Sequence, residues 1–338
     1  MDAAIITDQR QHAFYPLLRG SVNLYLHLLK QGQDGKLHLP KMLSPEYGQD
    51  ADNNYNLSLL RWACQTLIDL NRRYTLNDPL LPQWEATLTN LVDYPKDEHG
   101  LRIGATLSFE RSHRHWSHLL MVHPLHTMDF AQPGNAALIT KSIQHWLTVN
   151  GGKEVFGWSR AAAASLYATL GDGNSALDQT HRHMADARFV RPNTMYIETF
   201  PVIECSIVLA RSLQDMLLQS WGDTIRIFPA VPDAWRDAVF RDLRAEGAFL
   251  VSARRAAGKT QWIRIESLAG EPCRIVPSLV GEVKATVPIK NLGGGCYELT
   301  LAKGREALLY TGDKPPQVLI EPLTVNPRDF NTWGIKNK

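Results

Sequence analysis

The 338-residue chain has few of the features that mark several large classes of protein. It contains only four cysteines, at positions 64, 205, 273 and 296, and no two of them form a C-x-x-C pair. This spacing indicates neither a zinc ribbon nor a dithiol motif, and it gives no basis for assigning a disulfide. No stretch approaches the roughly 20 apolar residues that a membrane-spanning helix needs. The sequence therefore predicts no membrane partner.

A strong net charge is also absent. The chain has 36 basic and 34 acidic residues, which leaves a formal net charge of +2. Because no basic run is interleaved with aromatic residues, we predict no nucleic-acid partner. The first residues, MDAAIITDQRQHAFYPLL, lack the basic start and long apolar core of a secretory signal. Without such a signal, the sequence taken by itself indicates a cytoplasmic chain. The compartment is left open at this point.

Two regions of different hydrophobic periodicity follow one another along the chain. Residues 9–220 carry apolar residues at helical spacing in seven or eight segments, separated by short links such as GDGN and QPGN. After Trp221 the segments become short and alternating or β-branched, and Gly, Pro or Asn separates them. We predict a helical domain over residues 1–221 and an antiparallel β-sandwich of seven or eight strands over residues 222–338.

Four segments, in a fixed order, carry a family resemblance. They are LSPEYG (43–48), HRHWSHLLMVHP (113–124), GWSRAAAASLYATLGDG (157–173) and the passage from DMLLQS to LRAEGAFLV (215–251). Together they resemble glycoside hydrolase family 95, the inverting α-L-fucosidases and related α-L-galactosidases. Their order and approximate spacing agree with that family over most of the chain. The nine tryptophans and ten tyrosines fit this weakly, since flat rings stack on sugars.

The resemblance implies a fold and a missing part. Members of the family have an (α/α)6 barrel of twelve helices flanked by β domains, and they are often exported. The family's N-terminal β domain and the helix with its catalytic asparagine pair have no counterpart here. We therefore predict a mainly α plus β fold, a partial (α/α)6 barrel (α-toroid) that lacks its N-terminal helices, followed by the β-sandwich. The expected partners are an oligosaccharide or glycan substrate and a missing N-terminal half.

Hydrolysis with inversion needs two carboxyl groups in different environments, one as acid and one as base. Glu46, in LSPEYG, is the candidate acid, and it would project from a loop over the barrel mouth. It must keep its proton, so we expect apolar or like-charged surroundings. The alternative is structural, because Ser44, Pro45 and Glu46 also fit a plain helix start with an N-cap serine.

The candidate on the base side is Glu204. It stands in the otherwise apolar segment FPVIECSIVL, and buried carboxylates are costly unless they are paired or used. The resemblance places it, eleven positions before Asp215, where the family has the aspartate that polarises its catalytic base. The residues after it, Cys205 to Leu209, replace a glycine-rich segment of the family. Glu198 is the competing acid, or else a solvated loop carboxylate.

The segment SHRHWSHLL (112–120) concentrates histidines, and several functions fit it. A zinc site would need a further carboxylate or histidine, and no H-E-x-x-H is present, so we predict no metal and no cofactor. Ser112 and Ser117 lack the elbow motif of a nucleophile. One open alternative is a polar cluster at a helix start. The other follows from the resemblance: His113, Arg114 and His115 donate hydrogen bonds to sugar hydroxyls, and Trp158 is a stacking platform.

Two functions remain open at this stage. The first is hydrolysis of an α-linked L-sugar, a fucoside or galactoside, with inversion, in which Glu46 is the general acid and Glu204 acts on the base side. The alternative is a non-catalytic carbohydrate-binding module, or a truncated remnant that kept the fold and lost the chemistry.

Overall fold

The computed structural model describes residues 14–128, 130, 132–191 and 195–320. The prediction about a signal sequence concerns the first residues, of which 1–13 lie outside the described residues. Within the described residues, the chain divides into two compact units, which cover residues 14–159 and 160–320. The predicted boundary at residue 221 stays a prediction. Among the described residues, no helix combines the length and the apolar character that crossing a membrane requires.

The first unit is built on helices and short hairpins. Asn53 caps the second helix by accepting a hydrogen bond from the Asn56 N–H, and Thr75 ends it in the left-handed conformation. Leu57 and Leu67 of this helix pack with the fully buried Trp84 in the core. In chain order the elements are α1 (Phe14–Leu28), β1 (Lys30–Gln31), β2 (Leu37–His38), β3 (Met42–Ser44), β4 (Gly48–Asp50), α2 (Asn54–Tyr74), α3 (Leu81–Asn90), β5 (Lys96–Asp97), β6 (Gly100–Leu101), the 3-10 helix Ser117–Leu119, α4 (Asn135–Thr148) and the 3-10 helix Val149–Gly152.

The β3–β4 hairpin decides the position of Glu46. Its strands pair Met42 with Asp50 and Ser44 with Gly48, so Glu46 lies in the turn, at a φ of 54°. Asp50 anchors the hairpin, because its buried carboxylate accepts hydrogen bonds from the N–H groups of Thr106 and Leu107. Burial by itself would raise the pKa of Asp50, but these bonds outweigh it and the pKa is lowered. The alternative of a helix start at Ser44–Glu46 is therefore wrong.

The second unit contains three helices and the β-sandwich. The GDG motif has a packing reason, because a Cβ added at Gly173 would lie 2.2 Å from the Ala230 carbonyl oxygen. The helices are α5 (Trp158–Thr169), which begins in the last two residues of the first unit, α6 (Gly173–Met184) and α7 (Ile203–Leu217). The strands are β7 (Leu218–Trp221), β8 (Thr224–Ile227), β9 (Ala238–Ala245), β10 (Phe249–Ala256), β11 (Lys259–Ser267), β12 (Pro272–Val276), β13 (Lys284–Ala285), β14 (Ile289–Gly293), β15 (Cys296–Thr300) and β16 (Glu306–Tyr310).

The sandwich consists of two five-stranded sheets, in the orders β13-β16-β11-β10-β9 and β14-β15-β12-β8-β7. All pairs are antiparallel except β12 with β8. Alternate residues such as Val251, Ile263 and Ile275 fill one shared core. The predicted order of a helical region followed by an antiparallel β-sandwich is confirmed. The described residues contain ten sandwich strands, more than the seven or eight predicted, and seven α-helices. All four cysteines are free thiols.

Candidate active site

The first unit brings Glu46 against the histidine-rich segment, although the two are almost 70 positions apart. Arg114 Nη2 donates to Glu46 Oε2 at 2.5 Å, and His115 Nε2 lies 3.2 Å from the same oxygen. Two more contacts join the hairpin to this segment: the hydroxyls of Ser44 and Ser117 are 2.9 Å apart, and Arg111 Nη2 donates to the Tyr47 carbonyl at 2.6 Å. The fold therefore brings Glu46 into contact with Arg114 and His115, and their functions in catalysis and sugar binding stay predictions.

Hydrogen bonds fix the backbone of the histidine-rich segment. Trp146 Nε1, from α4, donates to the His113 carbonyl at 2.9 Å. The Ser159 hydroxyl donates to the Arg114 carbonyl at 2.8 Å. Buried carbonyls that are satisfied in this way hold the chain in one conformation. The side chains of Arg114 and His115 are therefore presented by a backbone that is already organised.

Aromatic rings form one wall of the cluster. The rings of His113 and His115 stack with centroids 5.1 Å apart, and the His115 ring meets Trp158 edge-on at 4.8 Å. Trp158 in turn meets Trp116 edge-on at 5.1 Å. Trp158 is half-buried and packs directly beside His115, which is compatible with contact to a sugar ring. Its function as a stacking platform stays a prediction.

Burial keeps the histidines of this segment neutral. It lowers the pKa of His113 and of His115, although Glu46 favours the charged form of His115. His118 stacks on Phe109 with centroids 4.4 Å apart, and its complete burial lowers its pKa to about 3. A neutral imidazole has one N–H donor and one acceptor nitrogen, so each ring can both give and receive a hydrogen bond.

The neutral state of His118 predicts a loss of stability in mild acid. Its folded pKa lies below the ordinary 6.5, so the unfolded chain takes up the proton first and stability is lost as pH falls from 6.5 toward 3. The loss is about 1.4 kcal/mol for each pH unit. We expect His118→Phe to reduce the difference in unfolding free energy between about pH 7.5 and pH 5, as measured by urea unfolding. His181→Phe, at an exposed position, is the control. An unchanged pH dependence in His118→Phe would contradict this assignment.

The surroundings of Glu46 differ from the expectation for a general acid. Its side chain is 53% exposed, and its nearest partners are Arg114 and His115. These surroundings are polar and cationic, whereas apolar or like-charged ones were expected. Arg114 lies close to Glu46 because it follows His113 in the histidine-rich segment, and this segment lies against the β3–β4 hairpin. The position of the segment against the hairpin depends on the fold and not on the local sequence.

Glu204 lies in the first turn of α7, and it is exposed. The expectation of a buried carboxylate is wrong, because this turn presents Ile203 and Ile207 to the outside as well, with exposures of 73% and 60%. The apolar letters around Glu204 thus do not mark a core position. Glu198 is half-buried and contributes, after burial, to the raised pKa of Tyr196. The catalytic role of Glu204 stays a prediction.

Asp215 was not predicted as a functional residue. In the sequence it served only as the reference from which Glu204 is located eleven positions earlier. It is buried in α7, where Arg211 Nε lies 2.8 Å from its Oδ1. Burial raises its pKa to about 6, even though Arg211 and the Ser165 hydroxyl favour the charged form. The sequence did contain a signal that could have identified Asp215. It is an acidic residue among apolar residues of a helix, in the segment SLQDMLLQS. Strongly shifted acids of this kind are enriched at functional sites and in buried ion-pair networks.

The raised pKa of Asp215 predicts that it destabilises the protein at neutral pH. As pH rises, the folded state keeps the proton of Asp215 to a higher pH than the unfolded state does. The contribution of the protonated carboxyl group to stability is therefore fully present below pH 3.8 and is lost as pH rises through 6. The shift corresponds to roughly 3 kcal/mol. Relative to the native protein, Asp215→Asn should therefore gain stability between about pH 4 and pH 7.5 in urea unfolding. Asp178→Asn, in the exposed pair with Arg182, should show little change. Equal pH profiles for native protein and Asp215→Asn would contradict the prediction.

Comparisons with known proteins are consistent with one family along the chain. The model of the glycosyl hydrolase family 95 catalytic domain matches residues 7–217. The model of the glycoside hydrolase family 95 C-terminal domain matches residues 219–303. No curated protein matches the chain. Among solved structures, it is similar to a "Putative kojibiose phosphorylase from human microbiome", with 11% sequence identity, a TM-score of 0.49 and coverage of 92% of this chain. The chain spans 48%, about half, of the length of that protein.

Proposed function

The chain belongs to glycoside hydrolase family 95, and on that premise we propose that it hydrolyses an α-linked L-sugar, a fucoside or a galactoside, with inversion at the anomeric carbon. The observation that carries the proposal is the contact of Glu46 with Arg114 and His115. This contact places two kinds of group side by side. One is a carboxyl group that can transfer a proton, and the others are side chains that can bind sugar hydroxyls. Family 95 domains support a glycosidase-like function, and the sugar and the stereochemistry belong to the proposal.

Glu46 is proposed to act as the general acid that gives its proton to the leaving oxygen. Arg114 and the neutral histidines His113 and His115 would hold the sugar by hydrogen bonds to its hydroxyls. A sugar bound here would take Arg114 as a partner and exclude water from Glu46. Both changes favour the protonated carboxyl group that the reaction requires.

Glu204 is proposed to act on the base side, where an ionised carboxylate helps a water molecule attack the opposite face of the sugar. In inverting enzymes the two carboxyl groups stand roughly 6.5–9.5 Å apart, which leaves room for that water. Exposure of Glu204 in the first turn of α7 is compatible with this function, because the carboxylate is accessible and the helix N-terminus favours negative charge.

The test is an assay with aryl α-L-fucoside and aryl α-L-galactoside. We expect release of the aryl group and, in NMR spectra taken during the reaction, the β-anomer of the free sugar as first product. The chain should be assayed alone and with any in-frame upstream coding sequence included, since an N-terminal half is the proposed partner. Retention of configuration, or hydrolysis of neither glycoside by either form, would contradict the proposal.

The alternative is a carbohydrate-binding protein without catalysis. The exposed, cationic surroundings of Glu46 favour it, because they differ from those expected of a general acid. Binding of L-fucose or L-galactose by calorimetry, without turnover of either aryl glycoside by either form of the protein, would support this alternative.

A further inference from the structure

The fold creates a ligand set that the sequence spacing does not show. One donor atom each of Glu46, His113 and His115 lie within 4.8 Å of one another. The sequence predicted no metal because it contains no H-E-x-x-H motif. The β3–β4 hairpin supplies a carboxylate from outside the segment. We propose that Glu46, His113 and His115 bind one divalent transition-metal ion, such as Zn²⁺, which blocks the sugar site.

The geometry of two ligands is already close to that of a zinc site. Tetrahedral Zn²⁺ with bonds of about 2.0–2.1 Å places neighbouring donor atoms about 3.3 Å apart. Glu46 Oε2 and His115 Nε2 are 3.2 Å apart. The remaining donor distances must shorten by at most about 1.5 Å to reach that geometry. Because the Glu46 side chain is 53% exposed and lies in a turn, it can make this adjustment.

His113 is arranged as a ligand with a carboxylate behind it. Its Nε2 is buried and makes no hydrogen bond of ordinary geometry within the described part of the chain, although the Pro45 carbonyl lies near enough to the ring to favour its charged form. Its Nδ1 lies 3.6 Å from Glu154 Oε2. A metal-binding histidine commonly donates its other N–H to a carboxylate, which fixes the ring and the tautomer. Glu154 would take that position, and it leaves Nε2 of His113 for the ion.

Arg114 is the competitor of the metal ion. Its guanidinium contacts the same oxygen of Glu46, and its side chain is 42% exposed, so it can move into water. An ion and Arg114 would repel each other at this distance. Removing Arg114 should therefore strengthen metal binding, whereas removing a ligand should weaken it. A histidine that binds metal by chance on the surface would not show this opposite pair of effects.

The test is a titration of the purified chain with Co²⁺, followed by visible absorption, and with Zn²⁺ by calorimetry. We expect one site, whose Co²⁺ bands disappear when an equal amount of Zn²⁺ is added. Glu46→Gln and His115→Gln should each weaken binding by roughly tenfold or more, and Arg114→Ala should strengthen it by a similar factor. His99→Ala, at a side chain 57% exposed outside the cluster, should bind as the native protein does. Circular dichroism checks that every variant is folded.

Several results would overturn the proposal. They are the absence of Co²⁺ bands, binding that Glu46→Gln and His115→Gln leave unchanged, or a thiolate charge-transfer band, which would place the ion on a cysteine. The blocking effect rests on the proposed function, and it predicts that Zn²⁺ raises KM for the aryl glycoside without lowering kcat. If no glycoside is hydrolysed, the titration still decides the metal site by itself.

Discussion

Replacing Glu46 by glutamine is expected to lower kcat by roughly 10² or more, with sugar binding largely kept. Glutamine has nearly the shape of glutamate and can still accept a hydrogen bond from Arg114, but it has no proton to transfer. The loss should be larger for a methyl α-L-fucoside than for a nitrophenyl α-L-fucoside, because a poor leaving group depends more on the acid. Steady-state kinetics on both glycosides, in the form of the protein that turns them over, measure this difference.

Glu98→Gln is the matched control for this prediction. Glu98 lies in the same unit, its side chain is 80% exposed, and it contacts neither Arg114 nor His115 in the described structure. Its kcat should stay near that of the native protein. An equal loss on both glycosides in Glu46→Gln would instead mean that Glu46 positions the sugar through Arg114 and is not the acid.

Replacing Glu204 by glutamine is also expected to lower kcat by roughly 10² or more, but with a different signature. The base side acts on the attacking water, so the loss should be similar for good and poor leaving groups. A small external anion such as azide can replace an attacking water that the enzyme no longer activates. Azide is therefore expected to restore part of the rate in Glu204→Gln and none in Glu46→Gln.

Glu198→Gln is the control for Glu204, because Glu198 is the competing acid on the segment before α7. If Glu198→Gln loses the rate and Glu204→Gln keeps it, the base side belongs to Glu198. Retention of full activity in both variants would remove the base-side function from this segment. Asp215 would then be the remaining acid of α7, and Asp215→Asn would be tested in the same assay.

Local patterns in the sequence predicted the class of fold. The helices were distinguished from the sandwich by the spacing of apolar residues, which is helical before Trp221 and alternating after it. Each spacing follows from the directions in which side chains leave a helix or a strand. The four ordered motifs likewise identified the family, which the matches at 7–217 and 219–303 confirm. The strand count was underestimated because short strands such as Lys284–Ala285 carry almost no period of their own.

Contacts between distant segments decided the rest. Ser44, Pro45 and Glu46 fit a helix start and a hairpin turn equally well, and only pairing of Ser44 with Gly48 selects the hairpin. The tertiary structure likewise leaves Glu204 exposed and buries Asp215, although both stand among apolar residues of one helix.

The site shows the same division between sequence and fold. The sequence by itself determined the donors, in the adjacent residues His113, Arg114 and His115. Only the fold brought Glu46 to them across 68 positions, and with it both the proposed acid and the proposed metal ligand set. The physical reason is that hydrogen bonds, ion pairs and burial depend on distance in space, whereas periodicity and motifs record only distance along the chain.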